Sequence, residues 1–272
     1  MSDWLAIAGK KVIVTGGSSG IGASIIAELL EQGVVVANFD LQAGKQIHKN
    51  LHFYQTDISD RQQVETNVAQ VVEELGQVDG LVNNAGINVP RLLVDEENAH
   101  GQFELSDGIF DKIIAINQKG VFLMTQAVVR DMLKRHEGVI INMSSESGLE
   151  GSEGQSPYAA TKAAVNSYTR SWAKELGKKG IRVVGIAPGI MEETGLRTVD
   201  YETALAYTRG ISVEELRKNY SKTTTIPLGR SGKLNEVADL VCYYLSNRSS
   251  YITGVTTNVA GEKHGDKQEG GE

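Results

Sequence analysis

Tyr158 and Lys162 stand four residues apart in the run S-P-Y-A-A-T-K-A-A over residues 156–164. Positions i and i+4 of a helix are neighbours, so a helix starting just past Pro157 brings phenol and ammonium onto one face. A free phenol titrates near ~10, too high for a base at neutral pH. An ammonium beside it favours the phenolate and is expected to lower that value. Such a pair can take a proton from an alcohol or return one to a carbonyl. The same spacing also occurs on solvated helices that do no chemistry, so the surrounding chain has to supply the rest of a site.

A glycine loop supplies part of it. The run T-G-G-S-S-G-I-G over residues 15–22 follows a β-branched stretch and opens a helical pattern. Gly16 allows a tight turn, Gly20 lets the backbone approach a pyrophosphate, and Gly22 lets helix and strand pack closely. The N–H groups of Ser18, Ser19, Ile21 and their neighbours then face the phosphates. The spacing is G-x-x-x-G-x-G, not the G-x-G-x-x-G fingerprint. A glycine loop can be a tight turn only, but its place between first strand and first helix favours phosphate. Asp40 ends the second strand, 24 residues after Gly16. A carboxylate there accepts hydrogen bonds from ribose hydroxyls and repels a 2′-phosphate. Gly17, Phe39, Leu41 and Gln42 offer no compensating positive charge, so NAD is expected over NADP. Asp40 as a mere turn or cap residue remains the plainer alternative.

The elements that must carry these residues alternate. Strands are expected at Lys11–Thr15, Val34–Phe39, Phe53–Gln55, Gly80–Asn83, Val139–Met143, Arg182–Ile186 and Thr256–Val259. Their consecutive Val and Ile suit strands buried on both faces. Helices are expected at Gly20–Gln32, Asp60–Leu75, Ile109–Lys134, Pro157–Gly177 and Asn235–Ser246, the second with a capping box of Ser59 and Gln62 and a stop at Gly76. The pattern predicts an α/β fold: a single Rossmann-type, doubly wound domain over residues 1–261, with about seven parallel strands and helices on both faces. Residues 88–107 and 190–227 break the rhythm. Both leave the carboxyl ends of strands, where such sheets bind ligands, so both are candidate substrate walls. Ser212 and Glu215 suggest a short capped helix in the second. The polar, Gly-rich stretch 262–272 is expected to be a disordered tail.

The composition narrows the partners. A net charge of −7 argues against nucleic acid or an anionic membrane surface, though not against a small anionic ligand. No apolar run is long enough to span a bilayer, and the N-terminus has no signal-peptide pattern, so a cytoplasmic location is expected. Cys242 is the single cysteine and lies in an apolar run, which suits a core position in a reducing compartment. No metal site is expected.

In order along the chain, T15-G-G-S-S-G-I-G22, N83-N-A-G86, I116-N-Q-K-G120, N142-M-S-S145, the Tyr158/Lys162 pair and Pro188-Gly189 resemble the short-chain dehydrogenase/reductase family from about Lys10 to Gly261. The resemblance implies a catalytic tetrad of Asn117, Ser145, Tyr158 and Lys162, with Ser145 preferred over Ser144 by its spacing of thirteen from Tyr158. It places Asp57 and Ile58 beside the adenine. Asn84, Ala85 and Gly86 would line the cofactor, and Pro188, Gly189 and Ile190 its nicotinamide end. The family's threonine after Pro-Gly is displaced here to Thr194. The resemblance also implies a homotetramer through the two long helices.

The stretches at residues 88–95, 145–154, 187–197 and 207–217 resemble members of that family acting on a sugar phosphate, with hydride transfer at C2 and Tyr158 as acid/base. Glu146, Glu150 and Glu153 lie between Ser145 and Tyr158 and could accept hydrogen bonds from polyol hydroxyls. Arg91, Arg197 and Arg209 lie in the two long loops and could bind the phosphate, arginine being suited to it by its planar fork. Each could equally be a surface charge. Two alternatives stay open: a dehydrogenase of an unphosphorylated polyol or other secondary alcohol, and a non-catalytic NADH-sensing protein.

Overall fold

The computed structural model describes residues 4–192, 198–221 and 226–261. The chain begins with β1 (Lys11–Thr15), α1 (Gly20–Glu31), β2 (Val35–Asp40), β3 (Leu51–Gln55), α2 (Arg61–Leu75) and β4 (Gly80–Asn83). It continues through α3 (Asp107–Ile114), a π-helical stretch (Ala115–Gly120), α4 (Val121–Arg135), β5 (Gly138–Met143), α5 (Ser147–Glu150) and α6 (Ser156–Leu176). Then come β6 (Ile181–Pro188), α7 (Val199–Thr208), α8 (Val213–Ser221), α9 (Leu234–Leu245) and β7 (Thr256–Val259). The strands form one sheet in the order β3-β2-β1-β4-β5-β6-β7, and all pairs are parallel. The order reverses between β1 and β4, which opens a crevice at their carboxyl ends.

Side chains alternate across the strands and give the sheet two apolar faces. Val12 and Val14 join Ile25, Ile26 and Leu29 of α1 and Val237 and Val241 of α9 on one face. Ile13 joins Val64 and Val68 of α2, Leu123 and Val128 of α4 and Ala173 of α6 on the other. This is the doubly wound architecture expected from the alternation of elements. Cys242 is buried in the first of these cores, and burial pushes its thiol up to about 12, so it is an inert packing residue.

Several boundaries differ from the sequence expectation for local reasons. Asp60, not Ser59, caps α2: its carboxylate accepts from the Gln62 and Gln63 N–H groups. Ser59 is engaged by Asp57 Oδ1, to which its hydroxyl donates at 2.7 Å. Gly76 ends α2 in the left-handed conformation, as expected. The helix expected over 109–134 starts earlier, capped by Ser106, and is interrupted by the π-helical stretch. The described residues of 190–227 hold two helices rather than one. Ser212 Oγ accepts from the Glu215 N–H at the start of α8, as expected. The second helix, α7, was not expected; it is capped by Thr198 and carries Asp200 and Glu202 in its first turn. Leu205, Ala206 and Leu216 make a small separate core between α7 and α8. Among the described residues no helix is long and apolar enough to cross a membrane. The stretch 262–272 lies outside the described residues.

Candidate active site

A cavity of about 590 Å³ runs along the carboxyl ends of the strands, from the glycine loop to α7. Gly16, at φ 65°, turns the chain out of β1, and Gly20 is also left-handed. A Cβ on Gly22 would run into the Gly16 carbonyl oxygen, so this glycine is required by close packing, as expected. Thr15 Oγ1 accepts from the Asn84 and Ala85 N–H groups, each at 3.0 Å, and the Asn84 amide donates to the Thr15 and Gly16 carbonyls. The loop is thereby fastened to the end of β4.

The residues along this half suit a dinucleotide. The N-cap of α1, Ser19, makes no side-chain cap, so the first-turn N–H groups beside the cavity are not consumed by a capping side chain. Asp40 ends β2 at the cavity edge, its carboxylate steadied by the Ser18 N–H at 3.0 Å and the Leu41 N–H at 2.7 Å. Each oxygen keeps acceptor capacity for a hydroxyl. Leu41, Asp57, Ile58, Asn84, Ala85, Gly86, Pro188, Gly189 and Ile190 also line the cavity. Ser18 does not: its hydroxyl donates to the Gln42 carbonyl, and it lines a smaller hollow behind the loop. Thr194 lies outside the described residues. Phe39, Thr56 and Met143 line the cavity without having been singled out in the sequence.

At the centre, Tyr158 and Lys162 share one face of α6, with Nζ 5.6 Å from the phenol ring centroid. Nζ donates to the Met143 carbonyl at 2.8 Å. Lys162 is buried, and burial brings its ammonium down to about 8. Tyr158 departs from expectation. Burial raises its phenol, and the influence that lowers it is a hydrogen bond with Ser145 rather than the ammonium. The paired serines divide: the Ser144 hydroxyl donates to the Lys162 carbonyl at 3.1 Å, and Ser145 is the phenol's partner.

Asn117 lies in the π-helical stretch and is fully buried. Its amide accepts from the Ile87 N–H and donates to the Ile87 carbonyl, both at 2.8 Å. A Cβ on Gly86 would touch both Asn117 Oδ1 and Lys162 Nζ, so these two side chains flank the same bare stretch of backbone. Irregular helical turns of this kind recur at functional sites.

Beyond Tyr158 the wall changes character. Tyr201, Leu205 and Arg209 recur every four residues and present one face of α7 to the cavity. Glu146 and Glu150 line it as well. Glu153 and Arg91 do not; Arg91 stacks its guanidinium 5.9 Å from the Phe103 ring centroid and donates to the Pro90 carbonyl. Arg197 lies outside the described residues. Asn88 and Gln155, not singled out in the sequence, complete this wall and are bonded to each other through Asn88 Nδ2 and Gln155 Oε1.

This fold and cavity agree with what the chain is similar to. It belongs to the short chain dehydrogenase family, whose pattern matches residues 10–204. It is therefore an oxidoreductase, and it works with a nicotinamide cofactor. Over 265 residues it is 60% identical to the sorbitol-6-phosphate 2-dehydrogenase of Klebsiella pneumoniae, covering 97% of this chain and 99% of that protein. The solved aldohexose dehydrogenase of Thermoplasma acidophilum superposes with a TM-score of 0.81 at 26% identity, covering 94% of each chain. A 3-ketoacyl-(acyl-carrier-protein) reductase from Brucella melitensis complexed with NADH superposes at 0.80 and 28% identity, covering 95% of this chain and 99% of that one.

Proposed function

We propose that this protein interconverts D-sorbitol 6-phosphate and D-fructose 6-phosphate, using NAD. The observation that carries the reading is the 60% identity, over nearly the whole of both chains, to an enzyme named for that substrate. The cavity supports it. Arg209 and Lys162 are the cations among its described lining residues, and Lys162 is buried against the Met143 carbonyl. Among the described residues Arg209 is therefore the group available to a phosphate.

The residues divide the work as follows. Tyr158 takes the proton from the C2 hydroxyl, or returns it in the other direction. Ser145 donates a hydrogen bond to the substrate oxygen as charge develops there. Lys162 holds the nicotinamide ribose beside the phenol, and Ser145 is the group that favours the phenolate. Asn117 keeps Ile87 and Gly86 in place beside Lys162 and orders a water there. The bound nicotinamide supplies the hydride acceptor or donor. Asp40 holds the ribose hydroxyls and excludes a 2′-phosphate, which is the basis for NAD over NADP. Glu146 and Glu150 accept hydrogen bonds from the hydroxyls of the polyol. A homotetramer is the proposed assembly: the Tyr168 and Trp172 rings of α6 stack at 4.6 Å and are only partly buried in one chain, leaving apolar surface for a second copy. The acidic, single-cysteine chain suits the cytoplasm.

The test is NADH formation by purified protein with NAD and D-sorbitol 6-phosphate, beside the same assay with D-sorbitol. Turnover confined to the phosphate is expected. Equal turnover of both would point to an unphosphorylated polyol, and NADH binding without turnover of either would remove the substrate assignment.

A further inference from the structure

We propose that Asn88 reads a hydroxyl group of the substrate close to the reacting carbon, through its side-chain carbonyl oxygen, and that Gln155 holds the amide in position for this. The inference rests on the polyol phosphate reading above and extends it to a residue that neither the motifs nor the candidate carboxylates pointed to. Asn88 Oδ1 is buried and has no hydrogen-bond partner among the described residues. A buried acceptor left unpaired costs free energy, so such an atom on the wall of a site marks a place for a donor from the ligand. Asn88 lines the same cavity as Ser145 and Tyr158.

The amide is fixed from both ends. Asn88 Nδ2 donates to Gln155 Oε1, and Gln155 is itself buried. Gln155 is the N-cap residue of α6, three positions before Tyr158, and its carbonyl accepts from the Ala159 N–H at 2.9 Å. On the other side, Asn88 follows Ile87, whose N–H and carbonyl are both taken by Asn117. The Asn88–Gln155 pair thus joins the chain beyond β4 to the start of α6, beside the phenol. Its free oxygen is an acceptor that a polyol hydroxyl satisfies and that an aliphatic or keto group would leave unpaired. The pair selects for a hydroxylated carbon neighbouring the one that is oxidised.

The experiment compares D-sorbitol 6-phosphate with analogues deoxygenated singly at C1, C3 or C4, on wild type, Asn88→Ala and Asn88→Asp. One analogue should lose roughly tenfold in wild-type kcat/KM, the size of one lost hydrogen bond. Asn88→Ala should lose a similar factor on the full substrate and lose nothing further on that analogue. Asn88→Asp keeps an acceptor, with the Gln155 amide able to turn and donate, and should keep the discrimination. NADH affinity of each variant reports that the fold is intact. Equal losses on every analogue for wild type and Asn88→Ala, or full activity of Asn88→Ala, would overturn the assignment. Failure of wild type to turn over any hexitol phosphate would instead remove the functional reading, and this assignment with it.

Discussion

The Tyr207 hydroxyl donates to both oxygens of the buried Asp95 carboxylate, at 2.9 and 3.1 Å, across 112 residues of chain. Asp95 also accepts from the Glu97 and Asn98 N–H groups, so the carboxylate is held within its own loop. Phe103 of that loop stacks on the Tyr207 ring at 4.2 Å. A Cβ on Gly154 would collide with Thr208, and the Gly154 carbonyl accepts from the Arg91 N–H at 2.7 Å. The 88–107 loop, the 151–155 loop and α7 therefore form one interlocked wall. One face of α7 is fastened to the loops, and the adjoining face carries Tyr201, Leu205 and Arg209 into the cavity.

Tyr207→Phe should accordingly loosen the substrate end of the site and spare the cofactor end. The expected result is a KM for the sugar phosphate raised by roughly threefold to tenfold, with the KM for NAD unchanged. This is a part of the worth of hydrogen bonds to a charged group, because the loss reaches the substrate only through α7. Hydrogen exchange should show faster opening in 95–104 and 199–208. A matching rise in both KM values would mean that α7 is not positioned in this way.

Tyr158→Phe removes the proposed acid/base and little else. Turnover should fall by about 10² to 10⁴, the usual contribution of a positioned proton-transfer group, while NADH affinity stays nearly the same. Because burial raises the phenol, alcohol oxidation by wild type should also increase toward alkaline pH. Near-normal turnover of the variant, read beside NADH fluorescence titration, would sink the assignment.

What the sequence disclosed followed from local pattern. β1 and β4 begin and end where the sequence places them, because a strand buried on both faces leaves a continuous apolar mark. The glycine loop was legible because Gly16 and Gly22 are demanded by backbone conformation and close packing. Asp60 was missed as a cap because Ser59 beside it is an equally good acceptor, and only the contact with Asp57 decides between them. The helix α7 was missed because its apolar residues serve two small contacts, α8 and the cavity, instead of the sheet; Thr198 with Asp200 and Glu202 was the signal available. The raised phenol of Tyr158 and the Asn88–Gln155 pair depend on burial and on contacts distant in sequence, which spacing does not reveal.

Asp40→Ala tests the cofactor preference. The carboxylate is anchored by the Ser18 and Leu41 N–H groups, so its removal also frees the turn after β2. The kcat/KM with NAD should fall by roughly tenfold to a hundredfold, as for a lost hydrogen bond to a charged group. The value with NADP should rise or hold, because the repulsion of a 2′-phosphate is gone. A ratio of NAD to NADP efficiency that does not narrow would assign the discrimination to another residue.

Lys162 offers a test whose sign is fixed by its burial. Its folded-state value of about 8 lies below the 10.5 of an exposed lysine. Between these two pH values the unfolded chain binds the proton and the folded protein does not, so stability rises with pH across that interval. The whole effect is on the order of 3 kcal/mol, at 1.36 kcal/mol per unit. Lys162→Met removes the titrating group at the cost of the bond to the Met143 carbonyl, a fixed loss at every pH. Urea unfolding without cofactor should show wild type gaining on the variant from pH 8 to pH 10.5, with a level difference below pH 7. A difference that stays level throughout, or that moves the other way, would mean that the ammonium is well solvated in the folded protein.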